Sequence, residues 1–111
     1  MTKVRIERGE RRVTVEIKGH ANYKGVLEAD VVCSAASMLA STFAQYAQKL
    51  LAAGVIEDMI AFEYKVERVY VDFIVADKPV NMVMVTALVD IIRTGFDLLI
   101  EQYPKNVKYA N

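Results

Sequence analysis

The segment KVRIERGERRVTVEIK, residues 3–18, decides the fold. Apolar and charged residues alternate on both sides of a turn at residues 8–11. A period of two predicts two antiparallel strands, each with one buried face. The apolar positions are Val4, Ile6, Val13, Val15 and Ile17. Gly9 suits the turn because glycine adopts positive φ freely, so the segment predicts a β-hairpin.

A long helix is predicted next. Apolar residues recur three and four positions apart from Asp30 to about residue 53. Asp30 is a good N-cap because its carboxylate accepts hydrogen bonds from the amides two or three residues on, so the helix is expected to begin directly after it. Gly54 is placed to end it. Residues 19–30 break the alternating pattern and are predicted to form a loop.

The same strand–strand–helix order recurs in the second half. Residues 56–64 and 68–75 alternate as strands, with Asp58 an exception on the apolar side of the first. That side is expected to hold Ile56, Ile60, Phe62 and Tyr64. Pro79 suits the first turn of a second helix, which runs to about Gln102. Its expected apolar side holds Met84, Leu88, Ile91, Leu98 and Leu99.

The order ββαββα predicts an α+β fold, a four-stranded antiparallel sheet covered by two helices. With 111 residues, 54% of them hydrophobic, we expect a single domain over residues 1–111. Residues 105–111 either add a short strand or fray.

The charge balance limits the expected partners. Fourteen basic and fourteen acidic side chains give no net charge, and so no overall field to attract nucleic acid or an anionic membrane. We therefore expect no direct nucleic-acid partner and no membrane. A local basic patch could still form from residues close together in the first hairpin, for example Lys3, Arg5, Arg8, Arg11 and Arg12. The lone cysteine, with no leader or apolar run of ~20 residues, predicts a cytoplasmic protein.

The single histidine and the single cysteine, His20 and Cys33, are the candidate catalytic residues. An imidazole that removes the proton of a thiol makes it a strong nucleophile. With Asp30 as N-cap, Cys33 is expected in the first helical turn, where the helix dipole favours thiolate and free amides can hold an oxyanion. Asp30 could equally orient His20. Ser37 shares the helical face of Cys33 and could bond the thiol or the substrate.

Structural interpretations compete with catalysis. A single cysteine in an alanine-rich helix is usually a small buried hydrophobe. A Gly-His pair after a strand is often a turn, and the Ser37 hydroxyl can bond back to the carbonyl of Cys33. One cysteine and one histidine fall short of a zinc site, and the glycines form no phosphate loop. No metal or cofactor is therefore expected.

Two segments together resemble the bacterial ribosomal-processing cysteine proteases called Prp. The first is Gly19-His20-Ala21 after the second strand, and the second is DVVCSAAS, residues 30–37. The element order and the ending EQYP, residues 101–104, are also similar. The chain differs in the position of Gly25, which lies earlier in the loop than in the family pattern, and in Ser34, where alanine is usual.

The resemblance implies a function. Family members remove a short N-terminal extension from the large-subunit ribosomal protein numbered twenty-seven and usually form homodimers. The family dyad corresponds to Cys33 as nucleophile and His20 as base. The accessory Asp and Ser correspond to Asp30 and Ser37, and Gly19 and Ala21 flank the base.

Three hypotheses remain open at this point. The first is a cysteine endopeptidase that cleaves an extended peptide, which could add to a sheet edge. The second is a non-catalytic ribosome-associated binding or assembly module of the same fold. The third is a small dimeric structural protein in which Cys33 is only buried. Met82, Val83 and Val85 are either a subunit contact or core.

Overall fold

The structure is a computed structural model that describes the backbone of residues 1–19 and 27–111 and the side chains of residues 1–19 and 31–111. Its elements are β1 (Thr2–Arg8), β2 (Arg12–Lys18), α1 (Leu27–Ala52), β3 (Ile56–Tyr64), β4 (Arg68–Val75), α2 (Pro79–Gln102) and β5 (Val107–Tyr109). The sheet order is β3-β4-β2-β1-β5. The first hairpin forms as its alternation predicts, with Val4 opposite Ile17 and Ile6 opposite Val15. No helix in the described part of the chain is both long and apolar enough to cross a membrane.

The α+β class is confirmed, but the sheet is larger than the predicted four antiparallel strands. The fifth strand, β5, runs parallel to β1. Pro104 follows the end of α2, and the chain then returns along the open edge of β1, where the amide of Thr2 donates to the carbonyl of Asn106 at 2.8 Å. Val107 is fully buried. A three-residue strand carries too short a pattern to be read from sequence.

The first helix begins earlier than predicted. It starts at Leu27, so Asp30 is the fourth residue of α1 and not its N-cap. Leu27, Glu28 and Ala29 are good helix formers, and they extend the helix by about one turn. The predicted end is confirmed, because α1 stops at Ala52 and Gly54 takes φ +79°.

Gly9 does not use the freedom that the sequence suggested. Among the described glycines, Gly54 alone has a positive φ. The hairpin turn closes instead through the amide of Gly9, which donates to the carbonyl of Arg12 at 2.8 Å.

The alternation of buried and exposed residues predicted for β3 is wrong in part, because the strand has two irregularities. The register against β4 shifts between Ile56 and Asp58 and again between Met59 and Ala61. Each shift inserts one residue and turns the following side chains to the other face. Met59 therefore packs on the core and Ile60 is exposed. Asp58 pairs with Ile74 on the outer face, which removes its apparent conflict with the apolar side.

The buried face of α2 also differs from the prediction. Leu88 is buried and Leu99 partly buried as expected, but Met84, Ile91 and Leu98 are exposed. The residues that face the core are Asn81, Val85, Leu88, Val89, Ile92 and Phe96. Because apolar residues cover most of the surface of this helix, its periodicity alone could not identify the inward side.

One face of the sheet is apolar and the other is charged. The inner side of β4 buries Val69, Val71, Phe73 and Val75, and the Phe73 ring stacks at 6.4 Å from Phe43 of α1. The outer side of the same strand carries Asp72, whose side chain is only 3% exposed. Arg12 donates to Asp72 at 2.7 and 3.0 Å, and Thr14 donates at 3.1 Å. These hydrogen bonds, that of Arg12 first, hold the pKa of Asp72 below its usual value.

Asp72→Asn is expected to destabilise the fold by about 1–2 kcal/mol at neutral pH, because an amide loses the charge-assisted pair with the largely exposed Arg12. The lowered pKa makes this contribution complete above the ordinary carboxyl value of 3.8 and removes it as the pH falls through the folded value. Urea unfolding of both proteins from neutral to acidic pH measures the difference. Asp58→Asn, an exposed change on the same face, is the control. A wild-type advantage that stays constant into strong acid would contradict the assignment.

Candidate active site around Cys33

The pocket that contains Cys33 lies at one end of the sheet. Its walls are the start of β1 at Thr2, the residue after β2, Gly19, and the turn that leads into β4 at Arg68. Residues of helix α1 form another part of the lining. The pocket has a volume of about 240 Å³, room for one or two side chains of a bound chain rather than a large cofactor.

Small side chains on α1 make this room. They recur three and four residues apart, so they form one stripe along the helix. They are Cys33, Ala36, Ser37, Ala40 and Ser41. Cys33 is half-buried and carries a free thiol. The predicted shared face of Cys33 and Ser37 is confirmed.

The early start of α1 changes the expected chemistry at Cys33. It is the seventh residue of the helix and lies in the second turn. The backbone amide there belongs to the intrahelical hydrogen-bond ladder and is not one of the four free amides at the N-terminus. The effect of the helix dipole also falls off within the first turn. The predicted oxyanion site on amides beside Cys33 is therefore wrong for this helix.

Ser37 is not tied back to its own helix. Thr42 and Thr94 donate to the carbonyls four residues before them, but the Ser37 hydroxyl forms no such bond within the described residues. It is exposed and lines the pocket. It is therefore available to a bound molecule.

Gly19 is required by packing. A Cβ at this position would lie 2.6 Å from Cα of Thr2 and 3.1 Å from the carbonyl oxygen of Met1. The amide of Gly19 donates to the carbonyl of Glu67 at 3.1 Å. Gly19 thus joins the start of β1 to the β3–β4 turn, and both line the pocket.

Sequence reasoning missed the far wall of the pocket. Tyr64, the last residue of β3, hydrogen-bonds through its hydroxyl to Ser41 of α1. Val66 in the following turn is 91% exposed. The sequence did carry one signal for this wall. Val66 is an apolar residue between Lys65 and Glu67, in a turn, where polar residues and glycine are usual.

Arg68 at the rim is held by carboxylates. It donates to Glu16 at 2.6 Å and also bonds Glu63. Burial raises the pKa of Glu16, but the hydrogen bonds and charge of Arg68 outweigh it and bring the pKa below its usual value. Because this guanidinium is neutralised, it does not present a free charge to the pocket.

The other predicted site residues fall outside what the structure describes. These are His20, Ala21 and the side chain of Asp30. The structure brings together Gly19, Cys33 and Ser37. Within the described residues no three His, Cys, Asp or Glu side chains group as metal ligands.

A family model described as "Cysteine protease Prp" matches residues 1–108 of the chain. The chain belongs to the cysteine protease Prp family. The matched residues include every residue that lines the pocket. The free thiol of Cys33 therefore belongs to a chain whose family is named for cysteine protease chemistry. No curated protein matches the Prp chain.

The solved structure of SMU.848 from Streptococcus mutans has the same fold as the Prp chain. The identity is 23% and the TM-score 0.64, over 98% of this chain and 91% of that one.

Gly19→Ala is expected to destabilise the protein by about 1–3 kcal/mol, since the added methyl group meets backbone atoms of β1 that cannot rotate away. Thermal and urea unfolding measure the loss. Gly9→Ala is the matched control, because its Cβ would meet Arg12 at an ordinary 3.6 Å. Equal stability of the two variants would contradict the packing argument.

Proposed function

We propose that the chain is a cytoplasmic cysteine endopeptidase that removes a short N-terminal extension from a large-subunit ribosomal protein. The observation that carries the proposal is the free, half-buried thiol of Cys33 in the pocket of a chain that belongs to a cysteine protease family. Family membership supports the reaction class and a role in ribosomal-protein processing. The His20–Cys33 dyad and the identity of the substrate are proposed in addition to that reaction class.

The reaction assigns one role to each of two residues. His20 takes the proton of the Cys33 thiol, and the sulfur attacks the carbonyl carbon of the scissile peptide bond. The bond breaks when His20 gives the proton to the leaving amine, and water then hydrolyses the thioester. Gly19 supports this assignment because it lines the pocket and directly precedes His20 in the chain.

The open edge of β3 supports an extended peptide as substrate. β3 is the outermost strand on its side of the sheet, so its free backbone groups can pair with an added strand. The shifts at residues 56–61 interrupt the early part of this edge, whereas residues 61–64 pair regularly with β4. The regular part ends at Tyr64, which lines the Cys33 pocket. A peptide added there is directed toward the thiol.

Cys33→Ala and His20→Ala are each expected to reduce cleavage by at least about 1,000-fold, since either change removes one half of the dyad. The measurement is intact mass spectrometry after incubation with the host's own ribosomal protein, chosen to carry the extension. Ser34→Ala is the control, because Ser34 is exposed and is not among the residues that line the pocket.

Full cleavage by both dyad variants would contradict the assignment. Failure of wild type on an extended substrate, with ribosome co-sedimentation unaffected by Cys33→Ala, would favour the non-catalytic binding module instead.

The outer face of α2 supports a homodimer. Val80, Met84, Ile91 and Leu98 are between 40% and 67% exposed and lie outside the buried face of the helix. With Ala87 they are spaced four, three, four and seven residues apart, which is the repeat of a helix that packs along another helix. Val83 is exposed nearby, whereas Val85 is core. We infer that a second copy of the chain covers this stripe.

Ile91→Glu is expected to convert the dimer to a monomer, because it places a charge in the middle of an apolar seam. Sedimentation velocity compares it with wild type, whose expected mass is twice the 12.5 kDa of the chain. Gln48→Glu, an exposed position on α1, adds the same charge elsewhere and is expected to stay dimeric. A monomeric wild type, or a dimeric Ile91→Glu protein, would rule out this interface.

A further inference from the structure

Three lysines lie side by side on the charged face of the sheet. Lys3 of β1 is directly opposite Lys18 of β2 on one side and Lys108 of β5 on the other. All three are exposed. Neighbouring strands lie ~4.8 Å apart, so the row spans on the order of 10 Å. We call Lys3, Lys18 and Lys108 the lysine row.

Most of the other charges on this face are neutralised by ion pairs within the sheet. Glu7, Glu16, Glu63 and Asp72 are each paired with an arginine, namely Arg5, Arg12 or Arg68, and Lys65 also pairs with Glu63. Four carboxylates are thus matched by four cations. None of the three ammonium groups of the lysine row forms an ion pair with a described residue. Asp58 also lies on this face and forms no ion pair with a described residue, so the three lysines leave the face with a net positive charge.

The lysine row costs stability in the free protein. Like charges directly opposite each other on neighbouring strands repel, and here the repulsion occurs twice in one row. Lys18 is also opposite Arg68 in the register of β2 and β4. A local conflict of this kind in an otherwise consistent sequence is typical of a functional surface.

We propose that the lysine row binds the phosphodiester backbone of a single nucleic-acid strand. A nucleic-acid strand carries one negative charge per nucleotide, so three neighbouring cations can contact successive phosphates of one strand. Lysine is a flexible point charge that suits such a backbone, whereas the arginines Arg5, Arg12 and Arg68 of this face are already bound to carboxylates.

The described residues of this face leave no aromatic ring open to stack on a base. Tyr70, the aromatic residue of the outer face of β4, lies beneath the guanidinium of Arg68 at 4.5 Å. Its ring is therefore not an open stacking platform. Binding at the lysine row is sequence-independent and depends strongly on salt.

The row is independent of the cleavage chemistry. It lies on the face of the sheet opposite the core, although Thr2 and Gly19, the neighbours of Lys3 and Lys18 in the chain, line the Cys33 pocket. The sequence predicts no nucleic-acid partner because the net charge is zero, and a net charge does not show where the individual charges lie. The strand register concentrates three cations that are far apart in sequence.

Fluorescence anisotropy with a short labelled single-stranded RNA, and with DNA of the same sequence, tests the proposal. Three backbone contacts predict a slope of about −2 for log affinity against log salt, which is about a 15-fold loss of affinity between 50 and 200 mM salt. The double variant Lys3→Gln/Lys18→Gln leaves one contact, and its loss over that range is expected to be about threefold.

The double variant Lys49→Gln/Lys78→Gln is the control. It changes the net charge equally at exposed positions outside the sheet, and it is expected to bind as wild type does. Equal affinity for RNA and DNA supports binding to the phosphodiester backbone alone. Tighter binding of RNA also supports the proposal and identifies RNA as the partner. Absence of binding, an equal effect of both double variants, or equally tight lysine-dependent binding of polyglutamate would overturn the proposal.

Discussion

Burial of one face of the central strands β1, β2 and β4 is the constraint on which the other features depend. Alternation along these strands sends valine, isoleucine and phenylalanine to one side and charged residues to the other. Both helices pack over the apolar side because each must bury a face. No described element covers the charged side, and four of its carboxylates are paired with arginines of the sheet. This two-sidedness separates a pocket under α1 from a charged surface on the back of the sheet.

The Cys33 pocket follows from how the end of this sheet is closed. Small residues on α1 keep the helix from filling the space above Ile17 and Val69. Gly19 allows the start of β1 to approach within a distance that no side chain permits. The β3–β4 turn then forms the remaining wall. A side chain on a packed helix has few alternative positions, which suits the nucleophile role proposed for Cys33.

Much of the fold could be predicted because strong local patterns specify it. The hairpin, the bounds of α2 and the stop at Gly54 all rest on alternation, Pro79 or a glycine cap. The start of α1 was misplaced because Asp30 is acceptable both as a cap and in a first helical turn. The inward side of α2 was misassigned because Ile91 and Leu98 are as apolar as the residues that are buried. Of the candidate site, Cys33 and Ser37 could be placed on one helical face, whereas Tyr64 and Val66 carried no comparable signal.

The sequence by itself determined the α+β class, the two strand–strand–helix units and the family resemblance, because these depend on periodicity and on short motifs. Only the tertiary structure decided the parallel fifth strand, the bulges that pack Met59 against the core, and the part that Tyr64 and Val66 play in lining the Cys33 pocket. It also decided that Lys3, Lys18 and Lys108 are neighbours. These features depend on strand register and on contacts between residues distant in the chain, and no local pattern encodes which residue will lie opposite which.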